Sequence, residues 1–169
     1  MPQKSIIGRD TFVDFGEKIT GVVPAKVDTG ADGSAVWASD IFVDKTHKLH
    51  FKLFGKDSPF YTGEEHIVEE YMVTLTKSAS GDVVMKYKVK IPVTIEGRHI
   101  TVNFGLSDRS THNYPILIGL RTLKGKFIVD VSREAKTVIK EKKKSLNLNK
   151  KMRENPYKFY KEQYLNGSK

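Results

Sequence analysis

The chain has 169 residues, room for one domain with an appendage, and its 38% hydrophobic and 29% charged content is that of a soluble globular protein. Cysteine is absent, which excludes disulfides, thiol nucleophiles and thiolate metal sites. No apolar stretch approaches the ~20 residues that span a bilayer, and the N-terminal MPQKSIIGRD lacks the apolar core of a secretory leader, so no membrane association and a cytoplasmic location are expected.

The formal charge of +9 is unevenly placed. Residues 1–132 carry 17 Lys and Arg against 16 Asp and Glu, whereas residues 133–169 carry 12 against 4. The body is nearly neutral and the basicity belongs to the tail, so a basic domain gripping nucleic acid is not expected. The same shift predicts a domain over residues 1–132 and a basic, partly helical extension over residues 133–169.

In chain order, Val22, Val23, Ala25 and Val27 form an apolar run that ends in Asp28-Thr29-Gly30. Ser39 to Glu70 is irregular, broken by Gly55, Pro59 and Gly63, and reads as an insertion with one or two strands. Tyr71, Val73 and Leu75 then alternate with polar neighbours, and the polar KSASGD (Lys77–Asp82) suits a hairpin tip. The strongest signal follows. Met85, Tyr87, Val89, Ile91, Val93 and Ile95 recur at period two, which predicts a long half-buried strand. Gly97-Arg98 offers a turn, and Ile100, Val102 and Phe104 continue the alternation on a returning strand. YPILIG (Tyr114–Gly119) and KFIVDV (Lys126–Val131) read as short buried strands. Near the end, Asn155 is a candidate helix cap, with Pro156 in the first turn and Gly167 after the last. Tyr157, Tyr160, Tyr164 and Leu165 would share one face of that helix, which is expected to dock on the body. Many short strands separated by turns predict a mainly β barrel or sandwich.

The chemistry centres on Asp28. A carboxylate closing an apolar strand is costly unless it is hydrogen-bonded or used. Asp-Thr-Gly is a common turn sequence, so the tripeptide by itself fits a structural turn. It also fits a catalytic loop. Gly30 permits a sharp turn and a close approach, Thr29 can donate its hydroxyl to nearby backbone, and Asp28 is then presented from a stiff support. Two such carboxylates placed face to face cannot both ionise readily, and the pair can polarise a water and protonate a leaving group.

AKVDTGADGSAV (Ala25–Val36) resembles the active-site segment of the retropepsins, in which an apolar run leads into Asp-Thr-Gly-Ala-Asp and a short polar step precedes a Val. Later elements follow the same order: a tip with Ser80-Gly81 in the flap position, a long strand pair over residues 85–104, and YPILIGLRTL, similar to the apolar-Ile-Gly stretch beneath the catalytic loop. The chain is more similar still to a bacterial and archaeal retropepsin-like family often encoded beside ATP-grasp peptide ligases and sometimes labelled "ATP-dependent zinc protease". The blocks that carry this are IIGRDTFVDF (Ile6–Phe15), AKVDTGA, Ser34–Ile41 and LSDRSTHNYPILIG (Leu106–Gly119). They cover residues 6–131 and leave the tail uncovered.

The resemblance implies a closed retropepsin-like β-barrel acting as a homodimeric aspartic peptidase. Asp28 would be catalytic, Thr29, Gly30 and Ala31 would shape its loop, and Ser78, Ala79, Ser80 and Gly81 would form the flap. Asp32 and Arg121 would support the loop. Retropepsins carry an arginine directly after Ile-Gly that pairs with a carboxylate; here Leu120 stands in that place and the arginine is displaced to Arg121, with Asp32 as its implied partner. Only one Asp-Thr-Gly is present, so the second carboxylate must come from Asp28 of another chain. Asp108, in LSDRS, lacks the glycine and the flanking apolar strand and is read as capping a turn or pairing with Arg109. No cofactor is expected, because the dyad needs none. The zinc and ATP of the family label find no support: there is no His-Glu-x-x-His and no Gly-rich phosphate loop, and His47, His50, His66, His99 and His112 are read as surface or structural. The expected substrate is a peptide or protein, and the link to ATP-grasp ligases suggests products of such ligases, with an acidic peptide favoured by the basic tail. A rival reading is a non-catalytic dimerisation or ribosome- and RNA-binding module whose tail lysines contact phosphates.

Overall fold

The computed structural model describes residues 3–17, 19–77, 81–135 and 141–165. In chain order its elements are β1 (Ser5–Ile7), β2 (Asp10–Asp14), β3 (Val22–Val27), β4 (Ser34–Val43), β5 (Leu49–Leu53), β6 (Glu65–Val68), β7 (Met72–Lys77), β8 (Val83–Ile95), β9 (Arg98–Ser107), β10 (Ile116–Ile118), α1 (Leu120–Leu123), β11 (Phe127–Val129), α2 (Glu141–Glu154) and α3 (Pro156–Tyr160), the last running into a π-helical turn at Lys161–Leu165. The chain divides into two compact units, residues 1–135 and 136–169.

Six strands close a barrel in the order β3-β2-β8-β9-β4-β10, with β10 returning to β3. The β9–β4 and β10–β3 pairs are parallel and the other four antiparallel. Period-two alternation places one face of each strand inside. Val13, Val23, Ala25, Val36, Phe104, Ile116 and Ile118 are among the fully buried side chains, each large one contributing about 1.5–3 kcal/mol through removal from water. Phe15 joins the inner face to the flank, its ring 6.2 Å from both Phe54 and Phe104. The retropepsin-like closed β-barrel expected from the sequence is therefore present.

Outside the barrel, β4 overruns its partner β9 and pairs with β5, which pairs with β6. This flank is the irregular insertion, and it holds two strands beyond β4. The β8–β9 turn falls at Glu96-Gly97, both left-handed, as a tight hairpin of right-handed strands requires. A separate pair, β1 and β11, runs parallel in the register Ile6↔Ile128.

Two expectations need correction. The stripe from Met85 to Ile95 is buried only from Val89 onward. Met85 is 55% exposed, because the first half of β8 pairs with β7 as a hairpin that leaves the barrel and has nothing beneath it. In KFIVDV only Phe127 is buried, and Ile128 is exposed. The tail is partly helical as expected, with the 14-residue α2 in it, a helix that carries no apolar stripe. At α3 the cap is as read: Asn155 Oδ1 accepts from the Lys158 amide at 3.0 Å, and Pro156 occupies the first turn. Gly167 and the side chain of Tyr164 lie outside the described residues.

Candidate active site

Asp28 follows the last residue of β3, and main-chain bonds continue past the end of the strand. The Asp28 amide donates to the Ile118 carbonyl of β10 at 2.9 Å, and the Ala31 amide donates to the Asp28 carbonyl at 3.4 Å. The Gly30 amide donates to Asp28 Oδ1 at 2.9 Å. A methyl on Gly30 would stand 3.3 Å from that same oxygen, tight enough to push the carboxylate, which is the physical reason for glycine here. Asp28 Oδ2 has no hydrogen bond among the described residues, and the carboxylate is half-buried. Thr29 behaves otherwise than expected. Its side chain is exposed and makes no hydrogen bond with described residues, so the loop is held by backbone contacts and by the Asp28 carboxylate on the Gly30 amide.

The loop is braced from below by the Ile-Gly segment. Leu120 N donates to the Ala31 carbonyl at 2.8 Å, and Arg121 N to the Asp32 carbonyl at 3.0 Å. A methyl at Gly119 would overlap the Gly33 carbonyl and lie 2.7 Å from the Ala31 oxygen, so only glycine permits this approach. Gly119 N also donates to the buried Ser34 Oγ at 3.0 Å, which is 2.7 Å from Thr122 Oγ1. The pairing of Arg121 with Asp32 thus takes a different form from the one implied. They meet through main-chain atoms, and no ion pair joins their side chains. Arg121 instead lines a recess with Lys88 and Lys126.

The residue that sequence reasoning missed is Arg109. Asp108 caps a turn, accepting from the Ser110 amide at 2.8 Å, and that bond holds its carboxyl below the usual range. It does not pair with Arg109. The half-buried Arg109 donates from Nε to the Tyr114 carbonyl at 3.0 Å, and Tyr114 in turn donates its hydroxyl to the buried Asp10 at 2.9 Å. Burial pulls the Arg109 guanidinium below its ordinary value, and the negative charge of Asp28 works against that shift, so the two groups feel each other. His112 is lowered by desolvation and by the positive charges of Arg109 and Lys86.

The other histidines have structural partners or none. His50 bridges Asp44 and Glu65, His66 stacks on Phe51 at 5.3 Å, His99 bonds Thr94 at 2.7 Å, and His47 is exposed. Among the described residues no group of three or more His, Cys, Asp or Glu is arranged to hold a metal. Of the flap, Ser78, Ala79 and Ser80 lie outside the described residues. Gly81 is exposed, and the β7–β8 ladder reaches Lys77↔Val83 just before the tip.

Residues 8–142 match the family described as retropepsin-like aspartic endopeptidase RimB. The chain belongs to this RimB-like family. No curated protein matches it. Among solved structures, the Legionella pneumophila protein Lpg0085, of unknown function, is similar with a TM-score of 0.60 at 20% identity, over 80% of this chain and 100% of that one. At that identity the likeness shows the fold alone. No helix among the described residues is long and apolar enough to cross a membrane.

Proposed function

We propose that the protein is an aspartic peptidase whose active site forms when two copies bring their Asp28 carboxylates together on a two-fold axis. The observation that carries this reading is a half-site: one carboxylate, rigidly presented, with Oδ2 free of hydrogen bonds among the described residues. The RimB-like membership supports it. So does the surface beside the loop. Thr29, Leu120, Leu123, Phe127 and Val129 line a largely apolar groove of about 470 Å³, and the register partners Ile6 and Ile128 are both exposed. Leu120, standing where retropepsins have arginine, adds apolar surface that a second copy would cover.

In the paired site one Asp28 is ionised and the other protonated, because two like charges so close do not both persist. A water lies between them. The ionised Asp28 takes a proton from that water as its oxygen attacks the peptide carbonyl carbon, and the protonated Asp28 donates to the carbonyl oxygen. The tetrahedral diol then collapses, the C–N bond breaks and the leaving nitrogen takes a proton from the dyad. The positive charge of Arg109 and the negative charge of Asp28 attract each other across the site. The β7–β8 hairpin closes over the peptide as a flap. Its exposed Val73, Leu75 and Val83 are apolar surface for that closure to bury. The substrate is a peptide or protein, and the family association with ATP-grasp ligases points to an acidic product of such a ligase.

Replacing Asp28 by Asn tests the chemistry. The swap is nearly isosteric, so Asp28→Asn is expected to abolish peptide hydrolysis with melting temperature and assembly retained, while EDTA leaves the unaltered protein active. Full activity in the variant, or loss of activity in EDTA, would overturn the assignment.

A further inference from the structure

A second site lies immediately after the catalytic loop. Gly33 and Ser34 leave that loop and form one wall of a recess of about 130 Å³, whose other walls come from β8, β9, α1 and the segment before β11. Three cations line it: Lys88, Arg121 and Lys126. Among the described residues no carboxylate does. Two cations of the β4–β6 flank have acids in reach, Lys48 with Glu69 and Lys52 with Asp40, both at 2.9 Å. None of the three has an ion-pair partner among the described residues. Asp32, the nearest acid in sequence to Gly33, turns only its main-chain carbonyl to Arg121 and does not line the recess.

Three positive charges gathered around one small recess repel each other, and partial enclosure strengthens that repulsion relative to open water. A bound anion reverses its sign. We propose that this recess binds an oxyanion, a carboxylate or a phosphate, on Lys88, Arg121 and Lys126. Neutral donors complete the fit. The Lys88 ammonium lies 3.9 Å from where a side chain on Gly33 would begin, which puts its charge at that wall of the recess. Ser34 Oγ accepts from Gly119 N, and when its own proton goes to Thr122, the Thr122 hydroxyl proton is left to donate into the recess. The Asn103 amide on the far wall supplies another donor. Fixed N–H and O–H donors with planar guanidinium charge suit oxygen anions better than chloride. The volume holds a carboxylate or phosphate group with accompanying water.

The anion comes from one of two sources, an acidic side chain of a bound peptide or free phosphate. The first assigns the recess as a specificity subsite, and that link to cleavage rests on the peptidase reading; the anion site itself does not. Binding is therefore measured on full-length Asp28→Asn protein, where cleavage plays no part. Inorganic phosphate is titrated at constant ionic strength while backbone amides are followed by NMR. Saturable shifts are expected at Gly33, Ser34, Thr101–Asn103 and Arg121–Lys126, and Lys88→Met or Lys126→Met is expected to weaken the affinity about tenfold or more with the spectrum otherwise folded. A peptide containing Glu, compared with its Gln counterpart, separates the sources. If the Glu peptide displaces phosphate and the Gln peptide does not, the recess takes substrate carboxylates; if neither displaces it, the ligand is a free oxyanion. Shifts that do not saturate, or that survive unchanged in both folded lysine variants, would overturn the proposal.

Discussion

The loop that carries Asp28 and the flank built by β4, β5 and β6 are held by different forces. The loop is fixed by main-chain bonds to Ile118, Ala31 and Asp32 and by the close passage of Gly119 under Gly33. None of those contacts titrates. The flank is tied by side-chain charge: Lys52 to Asp40, Lys48 to Glu69, and His50 between Asp44 at 3.0 Å and Glu65 at 3.4 Å, with Phe42 stacked on the imidazole at 4.5 Å. The main-chain brace beneath the loop keeps its geometry whatever the pH, whereas a flank built from ions does not.

The largest effect is expected from breaking the backbone brace. Gly119→Ala places a methyl on the Gly33 carbonyl, and neither side can move without shifting the Asp28 loop. A loss of about 1–3 kcal/mol in chemical denaturation is expected, together with a fall in turnover larger than that stability loss explains at temperatures where the variant is folded. Unchanged stability and turnover would show that the loop tolerates slack and would remove the contrast.

A smaller, pH-dependent effect sharpens it. The hydrogen bond to Asp44 raises His50 above its ordinary value, with burial opposing, so folding favours the imidazolium. That contribution is complete below about pH 6.5 and is lost as pH rises through the raised folded value. Asp44 is held well below the usual carboxylate range, first by the Lys48 amide and then by His50, so its contribution disappears only as pH falls below its ordinary 3.8. Hydrogen-exchange protection of β5 and β6, corrected for intrinsic rates, is therefore expected to drop between about pH 6 and pH 8. The amides of Asp28 and Leu120 should keep theirs, and His50→Gln should flatten the response. Equal pH sensitivity in both regions would contradict the division of forces.

These two regions also differ in how far they could be read from sequence. The barrel was legible because burial on one face leaves a period-two trace, and β8 and β9 carry it plainly. The trace does not say where the barrel stops. Met85, Tyr87, Val89 and Ile91 alternate alike, yet Met85 is exposed and Tyr87 only partly buried while Val89 and Ile91 lie in the core, because strand length and core extent are set by different partners. The position of Asp28 and the glycine beneath it were legible as motifs, since each demands a residue type at a fixed place. Arg109 was not. Its proximity to Asp28 depends on a loop held by Tyr114 and Asp10, and Asp10 lies about a hundred residues away in sequence. Helix α2 left no trace either: Glu141–Glu154 has helix-forming lysines and leucines but no apolar face to set a period.

The central claim is that each active site uses two Asp28 residues from two chains. Subunit mixing tests it most directly. Unaltered protein at fixed concentration is allowed to exchange subunits with increasing Asp28→Asn protein, and peptide hydrolysis is measured after equilibration. If mixed dimers are dead, activity should fall to about half at equal amounts and to about one tenth at ninefold excess, as mass action distributes active chains into mixed pairs. Activity that stays constant however much variant is added would mean that one chain suffices, and the paired-carboxylate site would be wrong.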